Sequence, residues 1–387
     1  MSLQLFSLLL SFWLSVCTVT YFFVRKRLFE KKRDKLKNII HVNGTRYKSS
    51  ITEIITHMLQ DSGVRTIGKT TGTYPTVFQM DGKKSLIKRR GPANIGEQVE
   101  IVLKHITSST QALVVECMAL NPRYQQVSQQ QMLKANIGII TNVKIDHIEE
   151  MGDNLETVCL NLCQTVPQNG VLITGEKKAE LREIMRKICE ERNTTFVYAD
   201  VNQLEDRVKE QLSEELLLEN VAIVLEVANI LAIDEQVVLT TLESFSRTIK
   251  NTYAKKVGET DYVFCDLFAV NDVDSTKQHF EKIAPSYTEF EKAVLLSHRA
   301  DRVDRTMHFL DFLDSELAQK LDVLYLEKEL MKNLEKENYP NLEKKIIFFD
   351  SIEEFFAQKS KTVIFGIGNL LCDTSKEMLA FFEGQGG

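Results

Sequence analysis

Residues 39–59 read I-I-H-V-N-G-T-R-Y-K-S-S-I-T-E-I-I-T-H-M-L, and few folds accept that order. Ile39, Ile40 and Val42 make a short β-branched run, the composition of a buried strand. Asn43-Gly44-Thr45-Arg46-Tyr47 is a turn. Ile51, Ile54, Ile55, Met58 and Leu59 then recur at helical spacing and form one apolar face. Gly63 can take the left-handed position that ends such a helix. Strand, turn, Lys-Ser and helix is the layout of a phosphate-binding loop. In it, backbone N–H groups and the positive end of the helix dipole face an anion. Lys48 would neutralise phosphate charge, and the Ser49 hydroxyl would take a place around Mg²⁺. The general motif has Gly before the Lys-Ser pair, where this chain has Tyr47. At a positive φ a bulky residue costs about 1–3 kcal/mol. An ordinary strand-turn-helix with a surface lysine carries the same pattern, so the rest of the chain decides.

Residues 3–24 contain no charge, and as a helix they span about 33 Å, close to the thickness of a bilayer's hydrocarbon core. Arg25-Lys26-Arg27 and Lys31-Lys32-Arg33 follow at once. A cleavable signal carries its positive charge before the apolar stretch, so this order reads as a retained anchor with the remainder in the cytoplasm, at the inner membrane. A net charge of −6 and a pI near 5.8 argue against a general nucleic-acid binder. The seven cysteines are scattered without a Cys-x-x-Cys pair, which fits a reduced, cytoplasm-facing protein.

Beyond the loop, short apolar strands are expected at 64–67, 112–115, 137–140, 171–174 and 196–199. Helices lie between them and at 216–231 and 236–245. That alternation specifies a parallel sheet with both faces covered, and ligands gather at the carboxyl ends of such strands. Ser49, Glu116 and His147 each fall just past a strand end, where one site could collect them. Residues 68–73 form a second polar Gly/Thr loop, 83–90 are basic, and 91–98 open another helix. Residues 247–259 read as a polar linker. Strands at 262–268, 293–296, 323–326, 346–349 and 363–365 then alternate with helices at 275–283, 304–317, 352–358 and 374–382, a smaller α/β domain of about 130 residues.

Glu116 ends the run Ala-Leu-Val-Val-Glu, and a carboxylate at that depth needs a cation or several donors. Mg²⁺ would suit it; so would a helix cap or a salt bridge. His147, beside Asp146, stands in a polar loop, either as a metal ligand or as a satisfied structural histidine. Residues 297–305, S-H-R-A-D-R-V-D-R, carry an arginine at every third position. The interleaved aspartates could hold Arg302 and Arg305 forward to phosphate oxygens, or form a surface ion-pair network.

Taken together, V-N-G-T-R-Y-K-S, T-I-G-K-T-T-G-T, G-P-A-N-I-G-E-Q, E-C-M-A-L-N-P, A-N-I-G-I-I-T-N-V, D-H, V-N-D and R-A-D-R-V-D-R-T resemble the Mur-ligase family of ATP-dependent amide ligases. The similarity is nearest to its membrane-anchored, poly-γ-glutamate-forming branch. It implies an α/β architecture: a P-loop-type parallel-sheet ATPase domain and a smaller Rossmann-like C-terminal α/β domain, preceded by one N-terminal transmembrane helix. The boundaries it implies are an anchor at 1–24, a basic juxtamembrane segment at 25–37, a central ATP-binding domain at 38–250 and a C-terminal domain at 258–387.

For individual positions the resemblance implies that Asn43, Gly44, Thr45, Arg46, Lys48, Ser49 and Ser50 surround the phosphates. Glu116 would bind Mg²⁺ and His147 a second metal ion. Asn220 would contact adenine, while Arg302, with Arg305 nearby, would meet ATP when the domains close. Thr71, Gly72, Thr73 and Asn94 fall with the acyl substrate, and Asn271 and Asp272 lie where nucleotide and substrate meet the second domain. No counterpart of the carbamoylated lysine of some members is found. The implied reaction transfers the γ-phosphate of ATP to a chain-terminal carboxylate and lets the amine of glutamate displace phosphate. Implied partners are glutamate, the growing poly-γ-glutamate chain, other membrane subunits of a capsule or polymer synthesis complex, and the membrane itself, with no nucleic acid. A catalytically impaired or assembly-only subunit is the alternative that Tyr47 raises. A P-loop phosphotransferase is another, because a phosphate loop alone names no acceptor.

Overall fold

The computed structural model describes residues 3–72, 74–89, 91–204, 208, 218–248, 252–268, 270, 273–298, 303–328, 330, 338–357, 360–369 and 372–383. Thr73, Asn271, Asp272 and Arg302 lie outside the described residues. The chain divides into two compact units, Met1–Thr248 and Ile249–Gly387.

In the first unit, helix α1 (Leu3–Arg33) precedes β1 (Asn38–Asn43), α2 (Lys48–Asp61), β2 (Thr66–Lys69), β3 (Thr76–Phe78), β4 (Lys84–Leu86) and α3 (Glu97–His105). Next come β5 (Ala112–Glu116), α4 (Pro122–Gln126), a π-helix (Val127–Leu133), β6 (Ile137–Ile140), α5 (Ile148–Met151) and α6 (Leu155–Leu162). The unit closes with β7 (Val171–Thr174), α7 (Ala179–Glu191), β8 (Thr195–Tyr198), α8 (Leu218–Leu231) and α9 (Glu235–Thr248).

The eight strands form one sheet in the order β4-β3-β2-β5-β1-β6-β7-β8. Strands from β2 to β8 in that order are parallel; β3 and β4 run antiparallel at one edge. The central strands are near-continuous hydrophobic runs because helices cover both faces. The chain passes from β1 through α2 to β2, then returns to place β5 and β6 on either side of β1. A crevice therefore opens at the carboxyl end of β1, the place where such sheets bind ligands.

Helix α1 is long and apolar enough to cross a membrane, and its apolar stretch is wholly exposed. The basic residues after that stretch were expected as a separate segment but continue the same helix to Arg33. They are held against the domain. Arg25 pairs with Glu100 of α3. Phe29, only 4% exposed, packs with Ile101, Val102 and Ile106. Lys32 donates to the carbonyls of Leu103 and Ile106 at 2.6 and 2.7 Å, satisfying groups that the end of α3 leaves without helical partners. Arg33, buried, donates to the carbonyls of Gln131 and Met132.

His41 sits in the middle of β1 with no exposure, its Nδ1 2.9 Å from the Gln129 side-chain oxygen and its Nε2 without a partner among the described residues. Burial pushes its pKa down to about 4, with Lys69 adding to the effect and the Gln129 contact opposing it. The folded state thus prefers the neutral ring. Its contribution is complete above the unfolded value near 6.5 and drains away as pH falls from there to about 4, at a cost of up to ~3 kcal/mol. Urea unfolding across that range should show the decline, and His41→Gln should flatten it.

The second unit contains β9 (Thr252–Val257), β10 (Thr260–Asp266), α10 (Val273–Ile283), β11 (Glu291–Leu296), α11 (Val303–Phe312), β12 (Val323–Glu327), β13 (Ile346–Phe349), β14 (Thr362–Ile367) and α12 (Asp373–Glu383). Its sheet has the order β13-β12-β11-β14-β10-β9, parallel except for the β9–β10 hairpin. Alternate residues of each strand face opposite layers. Val263, Cys265, Val294, Leu296, Leu324 and Phe365 enter one core cluster; Tyr262, Phe264, Ala293, Leu295, Tyr325 and Ile364 enter the other.

The expected linker at 247–259 gives way to regular structure, since Thr252–Val257 within it are strand β9. Its residues alternate between partly covered and exposed, Lys255 reaching the Phe381 carbonyl and Lys256 lying outward. This is an edge strand whose lysines gave it the composition of a loop.

Candidate active site

The turn after β1 is fixed against the neighbouring β6–α5 loop. Asn142 accepts the Thr45 N–H on its carbonyl at 3.1 Å and the Arg46 N–H on its side chain at 3.0 Å. The Thr141 hydroxyl donates to the Arg46 carbonyl at 2.6 Å, and the Lys144 N–H donates to the Thr45 hydroxyl at 3.0 Å. Gly44 (φ 128°) lets the turn lie against β6: a Cβ there would stand 2.0 Å from Thr141 Oγ1 and 2.8 Å from its backbone nitrogen.

Tyr47 is the N-cap of α2 and sits at φ 65°, ψ 10°, the left-handed region, with no side-chain cap hydrogen bond. The sequence-based concern about this position is therefore met in the backbone, at a cost of about 1–2 kcal/mol. The first-turn N–H groups of α2 receive no N-cap side chain and point past the turn. Lys48 begins the helix. Its ammonium folds back under the turn onto the carbonyls of Gly44 and Thr45, at 2.7 and 3.2 Å. Burial lowers its pKa from the ordinary lysine value, opposed chiefly by the nearby Glu116 carboxylate.

Ser49 and Glu116 come together. The Ser49 hydroxyl donates to Glu116 Oε2 at 2.8 Å, and the Thr71 N–H donates to the same oxygen at 2.7 Å. Glu116 is 3% exposed, and its Oε1 has no hydrogen-bond donor among the described residues. Gly72 passes over Ser49, where a Cβ would stand 3.1 Å from the hydroxyl. A serine hydroxyl beside a buried carboxylate with one oxygen uncommitted is a donor set that suits a hard divalent cation such as Mg²⁺.

His147 takes a different place. It lies at φ 47°, half-exposed, with Asp146 as its ion-pair partner at 3.8 Å. Asp146 in turn pairs with Arg46 at 3.2 Å. Among the described residues no three His, Cys, Asp or Glu side chains converge as a metal site. His147 stands in an Arg46–Asp146–His147 array flanking the turn. Its cause is the left-handed turn at His147, which directs the imidazole to Asp146.

The side-chain amide of Asn43 donates to the Gln125 side chain at 2.8 Å, to the Leu162 carbonyl at 3.3 Å and to the Thr165 hydroxyl at 3.1 Å, so this side chain ties β1 to the helical layer. Asn94 shapes the entry to α3, accepting from the Gly96 and Glu97 N–H groups. Ser50 lies in the first turn of α2, half-buried. Asn220 is buried near the start of α8, one turn before Ile223, which packs on Gly175 just past β7. Arg305 lies on α11 of the second unit.

Reading the sequence missed several residues that hold this site. Lys69, fully buried at the end of β2, lies 3.3 Å from Glu97. Glu97 also takes Arg89 through two bonds of 2.6 and 3.1 Å, and Arg89 reaches the Thr71 carbonyl at 3.5 Å. Glu176, past β7, accepts from the Val143 N–H at 2.7 Å and the Lys178 N–H at 2.9 Å, bracing the loop that carries Asn142. Glu176 and Asn142 follow strand ends and were legible by that rule. The Lys69–Glu97–Arg89 cluster joins three segments whose proximity no local pattern encodes.

Residues 42–233 match the Mur ligase middle domain family, and residues 252–385 match the poly-gamma-glutamate synthase CapB C-terminal domain family. The chain is 32% identical over 363 residues to PGA synthase CapB of Bacillus subtilis (strain 168), covering 90% of this chain and 91% of that one. It is 32% identical over 323 residues to capsule biosynthesis protein CapB of Bacillus anthracis, covering 79% and 68%. Among solved structures, a bifunctional folylpolyglutamate synthase/dihydrofolate synthase from Yersinia pestis c092, complexed with AMPPNP and Mn ion, superposes with a TM-score of 0.61 at 12% identity over 93% of each chain, a likeness of fold.

Proposed function

This chain belongs to the Mur ligase family, in its poly-gamma-glutamate synthase CapB branch, and from that premise we propose that it is an ATP-dependent amide ligase that adds glutamate to a growing poly-γ-glutamate chain. The observation that carries the reading is the hydrogen-bonded pair of Ser49 and buried Glu116 at the head of a phosphate-binding turn, with Lys48 beneath it. The fold neighbour's nucleotide and metal support ATP and a divalent cation as the matching ligands. Helix α1 supports attachment to a membrane, where other subunits of a synthesis complex would stand.

In this reading Ser49 and Glu116 would hold Mg²⁺, with Thr71 fixing the carboxylate from the other side, and an ion held there would supply positive charge against that of the phosphates. The chain-terminal carboxylate attacks the γ-phosphorus and ADP leaves, giving an acyl phosphate. The amine of glutamate then attacks the acyl carbon, phosphate departs, and an amide forms with loss of an amine proton. The residues of this chain bring anions together and hold them in line: first-turn amides of α2 and Lys48 supply positive charge at the phosphates, and Arg46, held by Asp146, adds charge beside the turn.

The test is product analysis with the full chain in detergent, supplied with Mg-ATP, glutamate and a γ-linked glutamate acceptor. ADP release dependent on both substrates, a lengthened acceptor, and hydroxamate on adding hydroxylamine are the expected results. A phosphorylated acceptor as final product, without new amide, would make the protein a phosphotransferase. One observation favours a catalytically weakened subunit: Tyr47 in a left-handed conformation at the phosphate turn. That reading requires weak Mg-ATP binding and a large gain of turnover in Tyr47→Gly; tight binding by the native chain removes it.

A further inference from the structure

The edge of the first sheet beside the Thr71 loop carries a feature that the proposed chemistry at Ser49 and Glu116 leaves unused. Strand β4 pairs only with β3, so its outer backbone edge has no strand partner among the described residues. Its side chains alternate, with Lys84 and Leu86 outward and Ser85 half-covered, and the outward series continues to Lys88. Lys83 is 78% exposed with Asp81 at 2.9 Å; Lys84 is half-exposed with Glu53 at 2.6 Å. Lys88 is exposed and has no carboxylate partner among the described residues. Leu86 and Tyr74 lie exposed along the same rim, at 62% and 59%.

This rim is joined to the candidate site by short links. The Ile87 N–H donates to the Pro75 carbonyl at 2.7 Å. Arg89 reaches the Thr71 carbonyl, and the Thr71 N–H holds Glu116. Residues 83–90 carry five cations and no anion, in a chain whose net charge is −6. A stripe of lysines interleaved with apolar side chains on an open strand edge has the chemistry to receive an extended polymer that carries carboxylates, methylenes and amides. Lysines on an edge strand also discourage edge-to-edge pairing of copies, which would account for the charge alone. It accounts neither for Leu86 and Tyr74 being exposed nor for the direction of the rim toward Thr71.

We propose that the exposed rim of β4, Lys83 to Lys88 with Leu86 and Tyr74, is the seat of the growing polycarboxylate chain, whose end reaches the Ser49–Glu116 pair past Arg89 and Thr71. The inference rests on the reading of this protein as the enzyme that lengthens such a chain. The lysines meet successive carboxylates, and the apolar side chains lie along the methylenes. The unpaired edge offers N–H and C=O groups to the polymer's amides, as strand edges do for extended peptides. A seat away from the reacting end raises affinity for long acceptors without entering the chemical step.

The experiment measures binding of a fluorescein-labelled γ-linked glutamate oligomer to the full chain in detergent, without ATP, for the native protein and for K83Q/K84Q/K88Q. The variant should lose about tenfold or more in affinity and show a shallower salt dependence, while binding of Mg-AMPPNP and the melting temperature stay as in the native chain. With substrates present, KM for the long acceptor should rise and kcat hold. Equal oligomer affinity in both proteins overturns the inference. So does an equal loss for heparin, which marks a general polyanion patch, or a loss confined to anionic vesicles, which marks a lipid-facing surface. A native chain that binds the oligomer yet forms no amide would instead overturn the ligase reading and leave the seat standing.

Discussion

Glu116→Ala should lower glutamate-dependent ADP release by about 10²–10³-fold or more while leaving the protein folded. The carboxylate does two things at once. In the proposed reading it would offer a charged oxygen to a cation beside Ser49, and it holds the Thr71 N–H and so the loop that passes over Ser49. Alanine removes both. It also removes a buried negative charge, whose desolvation the fold otherwise has to offset with two hydrogen bonds, so the melting temperature should move little. Glu116→Gln separates the roles: the amide oxygen can still accept from Ser49 and Thr71, but the charge is gone. Turnover in Glu116→Gln close to that of Glu116→Ala would assign the effect to charge. Steady-state assays of ADP release together with thermal melts check the pair. Native turnover in Glu116→Ala would remove this residue from the mechanism.

Gly44→Ala should be the most damaging single methyl group in the first unit, costing more than about 3 kcal/mol and abolishing nucleotide binding. Two penalties coincide. The backbone sits at φ 128°, where an L side chain is strained, and the new Cβ would lie 2.0 Å from Thr141 Oγ1 and 2.8 Å from the Thr141 nitrogen. The hydroxyl could rotate, but the backbone of β6 cannot withdraw without losing its ladder to β1. Displacing the turn would also break the Asn142 and Thr141 hydrogen bonds that shape it. A paired Thr141→Ala background should recover part of the stability but not all, since the clash with backbone nitrogen stays. Chemical denaturation and AMPPNP binding by calorimetry test this; a Gly44→Ala protein of native stability would mean the turn is far more compliant than its geometry implies.

What was readable from the sequence is what strong local patterns encode. The β-branched run before Asn43 and the apolar face of 51–59 marked β1 and α2, with the turn between them where the pattern put it. Strands β6, β7 and β13 are short runs dominated by apolar residues and kept their expected bounds. The failures have physical causes. Strands β3 and β4 are three residues each, too short for a pattern to show, and β9 alternates lysines with partly covered residues, so it carries no apolar signal. Glu116 is the last residue of β5, whereas His147 lies in the loop beyond β6 and, at a left-handed φ, stands beside Asp146. Asn43 belonged to a phosphate-loop pattern, yet residue alternation along β1 turns its side chain into the helical layer. Strand ends locate loops; they do not say which way a side chain leaves the loop.

Helix α1 has a mechanical consequence. Its exposed apolar stretch and its docked basic end are one uninterrupted helix, and Arg25 already touches Glu100 one residue beyond Val24. A chain attached to a bilayer this way is mounted on a shaft, not tied by a leash. Deleting a single residue between Val24 and Phe29 would turn the docked face by about 100° and shorten the shaft by about 1.5 Å. The folded body would have to let go of α3 or swing about the membrane normal. In the proposed membrane attachment, the bearing of the first unit about the bilayer normal would be written in the phase of one helix.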